Sequence, residues 1–82
     1  MTDRLVVYRR DHCGYCWALE RALRAAHVDY DRRDIYADPE AAAFVRSVND
    51  GNETVPTVVV AGTAYPNPEP AWLRQQLARG AR

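Results

Sequence analysis

The run Thr57-Val58-Val59-Val60-Ala61 is apolar without alternation. A strand of this kind is covered on both faces, which places it at the centre of a sheet between two layers of helix. A chain of 82 residues holds one modest core, so every other element has to bring a buried face to one side of this strand or the other. Residues 1–82 are therefore expected to form a single α/β domain.

The flanking segments fit that demand. Arg4 to Tyr8 reads as a short β-branched strand, and Cys16, Leu19, Leu23 and Ala26 follow it at helical spacing. Asp29 to Ile35 alternates loosely and predicts a second strand, parallel to the first through a right-handed crossover. Asp38-Pro39-Glu40 supplies an N-cap, a proline at the first helical position and an acid in the positive first turn. Ala41, Phe44, Val45 and Val48 mark the apolar face of that helix, which ends near Asn49-Asp50-Gly51. Gly62-Thr63 can turn the central strand back toward Ala64-Tyr65 as an antiparallel hairpin. Asn67-Pro68-Glu69-Pro70 repeats the helix-start chemistry, with Trp72, Leu73 and Leu77 as the buried face of a last helix up to Gly80. The predicted order is βαβαββα, a four-stranded mixed sheet flanked by three helices.

Eleven basic residues balance eleven acidic ones, which argues against a main task of holding nucleic acid or an anionic membrane. Leu5-Val6-Val7-Tyr8 is shorter than a signal-peptide core and runs at once into Arg9-Arg10-Asp11, so the expected location is the cytoplasm. Two cysteines are too few for a small secreted disulfide scaffold. In a reducing compartment two close thiols point instead to redox chemistry or a metal.

Both thiols lie in Asp11-His12-Cys13-Gly14-Tyr15-Cys16-Trp17, between the first strand and the first helix. At the mouth of that helix Cys13 meets unpaired backbone N–H groups and the positive end of the macrodipole, and both favour the attacking thiolate. Cys16, three residues on, shares the same helical face, close enough for a disulfide but shielded by the chain, which suits a resolving or regulatory role. Arg9 and Arg10 either add positive charge beside Cys13 or are solvated residues at a strand end. Zinc needs four ligands, and His12 and His27 are the only histidines to join the two thiols, so no metal site is expected. Covalent haem would require histidine where Trp17 stands. In Thr54-Val55-Pro56-Thr57 the proline reads, on residue chemistry alone, as the start of a strand.

Cys13-Gly14-Tyr15-Cys16 after a first strand, with Thr54-Val55-Pro56 before the third, resembles the glutaredoxin branch of the thioredoxin fold. More narrowly, Phe44 through Val58, Phe-Val-Arg-Ser-Val-Asn-Asp-Gly-Asn-Glu-Thr-Val-Pro-Thr-Val, is similar to the mycoredoxins, actinobacterial glutaredoxin-like proteins that work with mycothiol. The resemblance implies that Pro56 is cis and faces the cysteines, and that the Val55 backbone pairs with the bound thiol substrate like an added strand. It makes Thr54, Val55 and Pro56 substrate-binding residues, with Tyr15 beside the reactive cysteine and Asn67 capping the last helix next to the substrate groove. It also implies that Cys13 attacks the small-thiol sulfur of a mixed disulfide and frees the protein thiol, and that a second small thiol then regenerates Cys13. Cys16 is dispensable on that monothiol route. No cofactor is tightly bound in this reading. The co-substrate is mycothiol or glutathione, and the partners are mycothiolated proteins and an NADPH-dependent mycothiol disulfide reductase, with the protein acting as a monomer.

The chain also departs from its relatives. Arg10 occupies the position where many glutaredoxins have a basic residue and mycoredoxins a small polar one, which keeps glutathione in play. His12 stands where mycoredoxins tend to have tryptophan. Ala64-Tyr65-Pro66-Asn67-Pro68 replaces the glutaredoxin pair of glycines followed by a hydroxyl and an aspartate. The motif and the Trp-rich stretch of the redoxins that serve ribonucleotide reductase are missing. Gly14 permits one further reading, a dimer holding a [2Fe–2S] cluster through one cysteine and one bound thiol per subunit.

Overall fold

The computed structural model describes residues 5–80. Seven elements follow in the expected order: β1 (Leu5–Arg9), α1 (Gly14–Ala25), β2 (Asp31–Asp34), α2 (Pro39–Val48), β3 (Thr57–Val60), β4 (Thr63–Pro66) and α3 (Pro70–Gly80). Arg4, expected to open the first strand, lies outside the described residues, and the strand runs on through Arg9. The sheet order is β2-β1-β3-β4. β1 pairs parallel with β2 and antiparallel with β3, which pairs antiparallel with β4.

Alternation along β1 feeds two cores. Leu5 and Val7 point to one face, where Val58, Leu19 and Leu23 of α1 and Leu73 of α3 close over them. Val6 and Tyr8 point to the other, where Ile35 and α2, through Ala41, Ala42 and Val45, complete a second cluster. The unalternating β3 sequence is thereby explained: Val58 packs against the first cluster and Val59 against the second. β2 is shorter than its sequence suggested. Its four residues, Asp31-Arg32-Arg33-Asp34, form a wholly charged edge, and the apolar Ile35 is buried just beyond it, its N–H donating to the Arg9 carbonyl at 3.0 Å. A charged edge resists pairing with another chain.

The end signals hold for α2. Asp38 accepts from the N–H groups of Glu40 (3.1 Å) and Ala41 (3.3 Å), Pro39 occupies the first turn, and the exit passes through left-handed Asp50 and Gly51. The β3–β4 hairpin turns on Ala61 and Gly62, both at positive φ, rather than on Gly62-Thr63, since Thr63 already pairs with Val60. Two consecutive positive φ values define the tight turn whose twist suits paired strands, and Gly62 meets its half of that requirement without steric cost. Three expected core residues are displaced. Ala26 is exposed as the C-cap of α1, Val48 is 41% exposed at the last turn of α2, and Trp72 is 37% exposed with its ring edge against Tyr65. Leu73 carries the α3 contact to the core.

The least expected buried group is Glu20, 3% exposed on the α1 face that also buries Cys16, Leu19 and Leu23. Its carboxylate accepts from Arg9 Nε (3.1 Å), Arg32 Nε (2.7 Å) and the Tyr30 hydroxyl (2.8 Å). Arg9, 8% exposed, also donates to Asp34 (2.9 Å) and Asp11 (3.1 Å). Arg9 is thus a buried ion-pair partner, not a solvated strand end. Burial alone would raise the Glu20 pKa, but the bonds from Tyr30, Arg32 and Arg9 outweigh it and hold the carboxyl below its usual range. A carboxylate with a depressed folded pKa adds stability at neutral pH and loses it as pH falls through that lowered value. The melting temperature should therefore fall on acidification below the ordinary glutamate range. Glu20→Gln should melt lower at neutral pH and lose less on acidification. Glu20→Ala should cost stability near the low end of the roughly 3–5 kcal/mol for breaking a buried pair, because Asp34 and Asp11 still face Arg9. Parallel pH profiles for the wild type and Glu20→Gln would remove Glu20 as the source.

Candidate active site

The turn after β1 sets the first thiol. Arg10 and Asp11 leave the strand, His12 takes a left-handed backbone (φ 60°), and the chain enters α1 with Cys13 as N-cap residue in extended geometry. The Cys16 N–H donates to Cys13 Sγ at 3.2 Å, using one of the donors that a first helical turn leaves unpaired. A sulfur held there is one that accepts hydrogen bonds, as an attacking thiolate does. It is also reachable, being only partly buried, with Gly14 and Tyr15 exposed beside it.

Cys16 is in the opposite state. It is 1% exposed, and burial, followed by its hydrogen bond with Cys13, pushes its thiol pKa up to about 12 against a lowering contribution from the Arg10 backbone. Both cysteines are free thiols. One face of a single helical turn therefore carries an accessible sulfur and a buried, protonated one.

On one flank of Cys13 stands the segment before β3. The Val55–Pro56 peptide is cis, as the family resemblance implied, and the Val55 carbonyl lies 3.9 Å from Cys13 Sγ. Within the described residues the Val55 N–H has no backbone carbonyl partner. The segment is clamped from behind: the Thr57 hydroxyl donates to the Thr54 carbonyl at 2.6 Å, and Asn49 Nδ2 donates to that hydroxyl (3.2 Å) and to the Val45 carbonyl (2.8 Å). Asn49 is a supporting residue that sequence reasoning assigned only to the end of a helix. On the other flank a cleft of about 310 Å³ runs from Cys13 past Arg10 and Trp17 to Arg24 and Arg32. Arg10 Nη1 donates to the Tyr36 hydroxyl at 3.2 Å, with its guanidinium 6.0 Å from the centre of that ring.

Asn67 does not cap the last helix. α3 starts at Pro70 with the Leu73 N–H bonded to the Glu69 carbonyl at 3.0 Å, so Glu69 precedes the first turn and Asn67 lies two residues further back. Asn67 instead takes a left-handed turn (φ 44°) and donates its backbone N–H to the Pro56 carbonyl at 2.7 Å. Its side chain is not required for that bond. The helix starts at Pro70, two residues later than the Asn67-Pro68 signal suggested.

The glutaredoxin family model matches residues 5–64, which span both cysteines and the cis proline. This chain belongs to the glutaredoxin family. It is 42% identical over 80 residues to a glutaredoxin-named protein of Mycobacterium tuberculosis, covering 96% of this chain and 95% of that one. It is 43% identical over 67 residues to mycoredoxin 1 of Corynebacterium glutamicum, covering 80% and 82%. Among solved structures it superposes on the glutaredoxin-like NrdH-redoxin of Escherichia coli with a TM-score of 0.75 at 25% identity, covering 88% and 92%. The sheet and its helices are a thioredoxin fold, and the chain is a thiol-disulfide oxidoreductase of the glutaredoxin type. No helix among the described residues is long and apolar enough to cross a membrane.

The contrast between the two thiols sets a test. At neutral pH an alkylating agent should add one group to the native protein, at Cys13, and a second at Cys16 only after unfolding, as read by intact and peptide mass. Equal labelling of both in the native state would contradict the burial of Cys16.

Proposed function

We propose that this glutaredoxin reduces mixed disulfides between proteins and a small thiol, mycothiol in preference to glutathione, by a monothiol route through Cys13. The observation that carries the route is the Cys13–Cys16 asymmetry: one sulfur accepts a helix N–H and is reachable, while the other is buried with a pKa of about 12. The Cys13 thiolate attacks the small-thiol sulfur, forming a new disulfide as the protein thiolate leaves with the electron pair. A second small thiol attacks the Cys13-bound disulfide, restoring Cys13 and releasing the symmetrical small-thiol disulfide. An NADPH-dependent reductase of that disulfide closes the cycle. In this reading Val55 offers its backbone to the bound thiol and Thr54, Pro56 and Asn67 hold that edge in place.

Mycothiol is favoured by the likeness to mycoredoxin 1 and by the chemistry at the head of α3. A helix N-terminus holds a carboxylate through its free N–H groups. Here Pro70 has no N–H in the first turn and Glu69 precedes it with a negative charge. Pro68 lies before the helix and removes no helical donor, so the argument rests on Pro70 and Glu69. Mycothiol presents sugar and inositol hydroxyls and no carboxylate, and a glutamate accepts from hydroxyls where it repels an acid. Arg10 works in the other direction, as a donor for the carboxylate of glutathione.

Cys13→Ser should abolish turnover of a mycothiol mixed disulfide, whereas Cys16→Ser should retain most of it; complete loss in the second variant would establish a dithiol route. In side-by-side coupled assays kcat/KM should be higher for the mycothiol conjugate than for the glutathione conjugate of the same peptide. Equal or reversed values would mean that Arg10 outweighs Pro70 and Glu69.

A further inference from the structure

The flank of Cys13 away from Val55 carries more positive charge than the exchange reaction uses, since Arg10 alone among its arginines has a role toward a small thiol. The stripe Gly14, Trp17, Glu20, Arg24 on α1 forms one wall of the cleft, and Arg9, Arg10 and Arg32 form the other. The cleft lining thus holds four guanidiniums and one carboxylate, that of Glu20. Arg9 spends its donors on Glu20, Asp34 and Asp11, and is buried. The Arg24 and Arg32 side chains stay 59% and 55% exposed. Arg32 gives Nε to Glu20, and Arg24 gives Nη1 to the Tyr30 hydroxyl at 3.3 Å and reaches the Glu20 carboxylate only at 3.9 Å. Among the described residues no carboxylate forms an ion pair with Arg10, whose partner is the neutral Tyr36 hydroxyl.

We propose that this cleft is a docking site for acidic residues of the protein partner, about four to five positions from the cysteine that carries the small thiol. The proposal rests on the mixed-disulfide reaction above and adds the class of protein it prefers. Distance selects a peptide over the small thiol. Arg24 lies eleven residues along the chain from Cys13, roughly 16 Å at the α-helical rise, which an extended peptide covers in about five residues. The Val55 flank, which contributes no residue to the cleft, remains open for the small thiol. Exposed arginines with spare planar donors suit carboxylates, and such pairs act chiefly on encounter and selection between partners.

Two synthetic peptides bearing mycothiol on their one cysteine test this. One has glutamate at the fourth and fifth positions on both sides of the cysteine, and the other has glutamine there. The wild type should favour the acidic peptide roughly three- to tenfold in kcat/KM at low salt, the scale of two exposed ion pairs, and the ratio should shrink as salt is added. The ratio should fall toward one in Arg24→Gln/Arg32→Gln, and partway in Arg24→Gln alone, which leaves the Arg32–Glu20 bond intact. Equal rates for the two peptides, or a preference that survives in the double variant, overturns the docking site. Glutathione disulfide, whose carboxylates sit on the small thiol, is the third substrate: if the double variant loses as much on it as on the acidic peptide, the cleft is a small-anion site and the proposal fails. Turnover of the glutamine peptide that disappears in Cys13→Ser registers the exchange reaction separately from docking. Absence of that turnover in the wild type overturns the underlying reading and the docking site with it.

Discussion

The buried contact between Arg9 and Glu20 holds together the elements that surround the Cys13 sulfur. Arg9 is the last residue of β1, Glu20 lies in the middle of α1, and Arg32 and Asp34, their further partners, belong to β2. A charge taken out of water is tolerated only when its partners are placed correctly. The four groups therefore fix how far α1 slides along the sheet. Because Cys13 is the cap of that helix, the same constraint sets the height of its sulfur above the end of β1. Among the described residues no buried side-chain nitrogen or oxygen lacks a partner, so the network is complete.

Within that frame the division between the thiols follows from position on one helical turn. The cap residue leaves the helical path and its side chain turns back over the first N–H groups. The residue three further on is buried beneath the same turn. No special residue around Cys16 is needed to keep it protonated, since burial is the leading cause of its raised pKa. Geometry that ordinary helix starts provide thus separates an accessible sulfur from a buried, protonated one.

Much of this was legible in the sequence. Cap chemistry at Asp38-Pro39-Glu40 and the unalternating run at Thr57 to Val60 are local signals, and both elements lie where they indicate. What escaped depended on partners distant in sequence. Glu20 stands at the i+4 position of the stripe begun by Cys16 and Leu19, and an acid on an apolar stripe is a sign of a buried pair. Its partners, Arg9, Tyr30 and Arg32, come from other elements that periodicity cannot bring together. Asn67 failed for the converse reason: the Asn-Pro pair is good cap chemistry, but Glu69-Pro70 offers a second start, and a left-handed Asn67 bonded to Pro56 leaves the first one unused. The cis geometry at Pro56 came from family resemblance alone, because an isolated proline ahead of a strand carries no mark of its isomer.

Gly14 shows how access to the sulfur is kept. Its backbone is helical, and an added Cβ would meet nothing within 4 Å, so neither a turn nor close packing demands glycine there. A larger residue would fit the fold. It would also stand in the mouth of the cleft, beside Cys13, where Gly14 is one of the lining residues. On the proposed route, open space at that point admits the protein half of the mixed disulfide from the arginine side, while the small thiol lies along the Val55 edge. In-line exchange places the attacked small-thiol sulfur between Cys13 and the leaving protein sulfur, so the mixed disulfide needs clear space in front of Cys13 for both of its halves. A small residue between the two thiols therefore serves the geometry of the reaction, while the stability of the turn rests on the cap and on the groups buried beneath it.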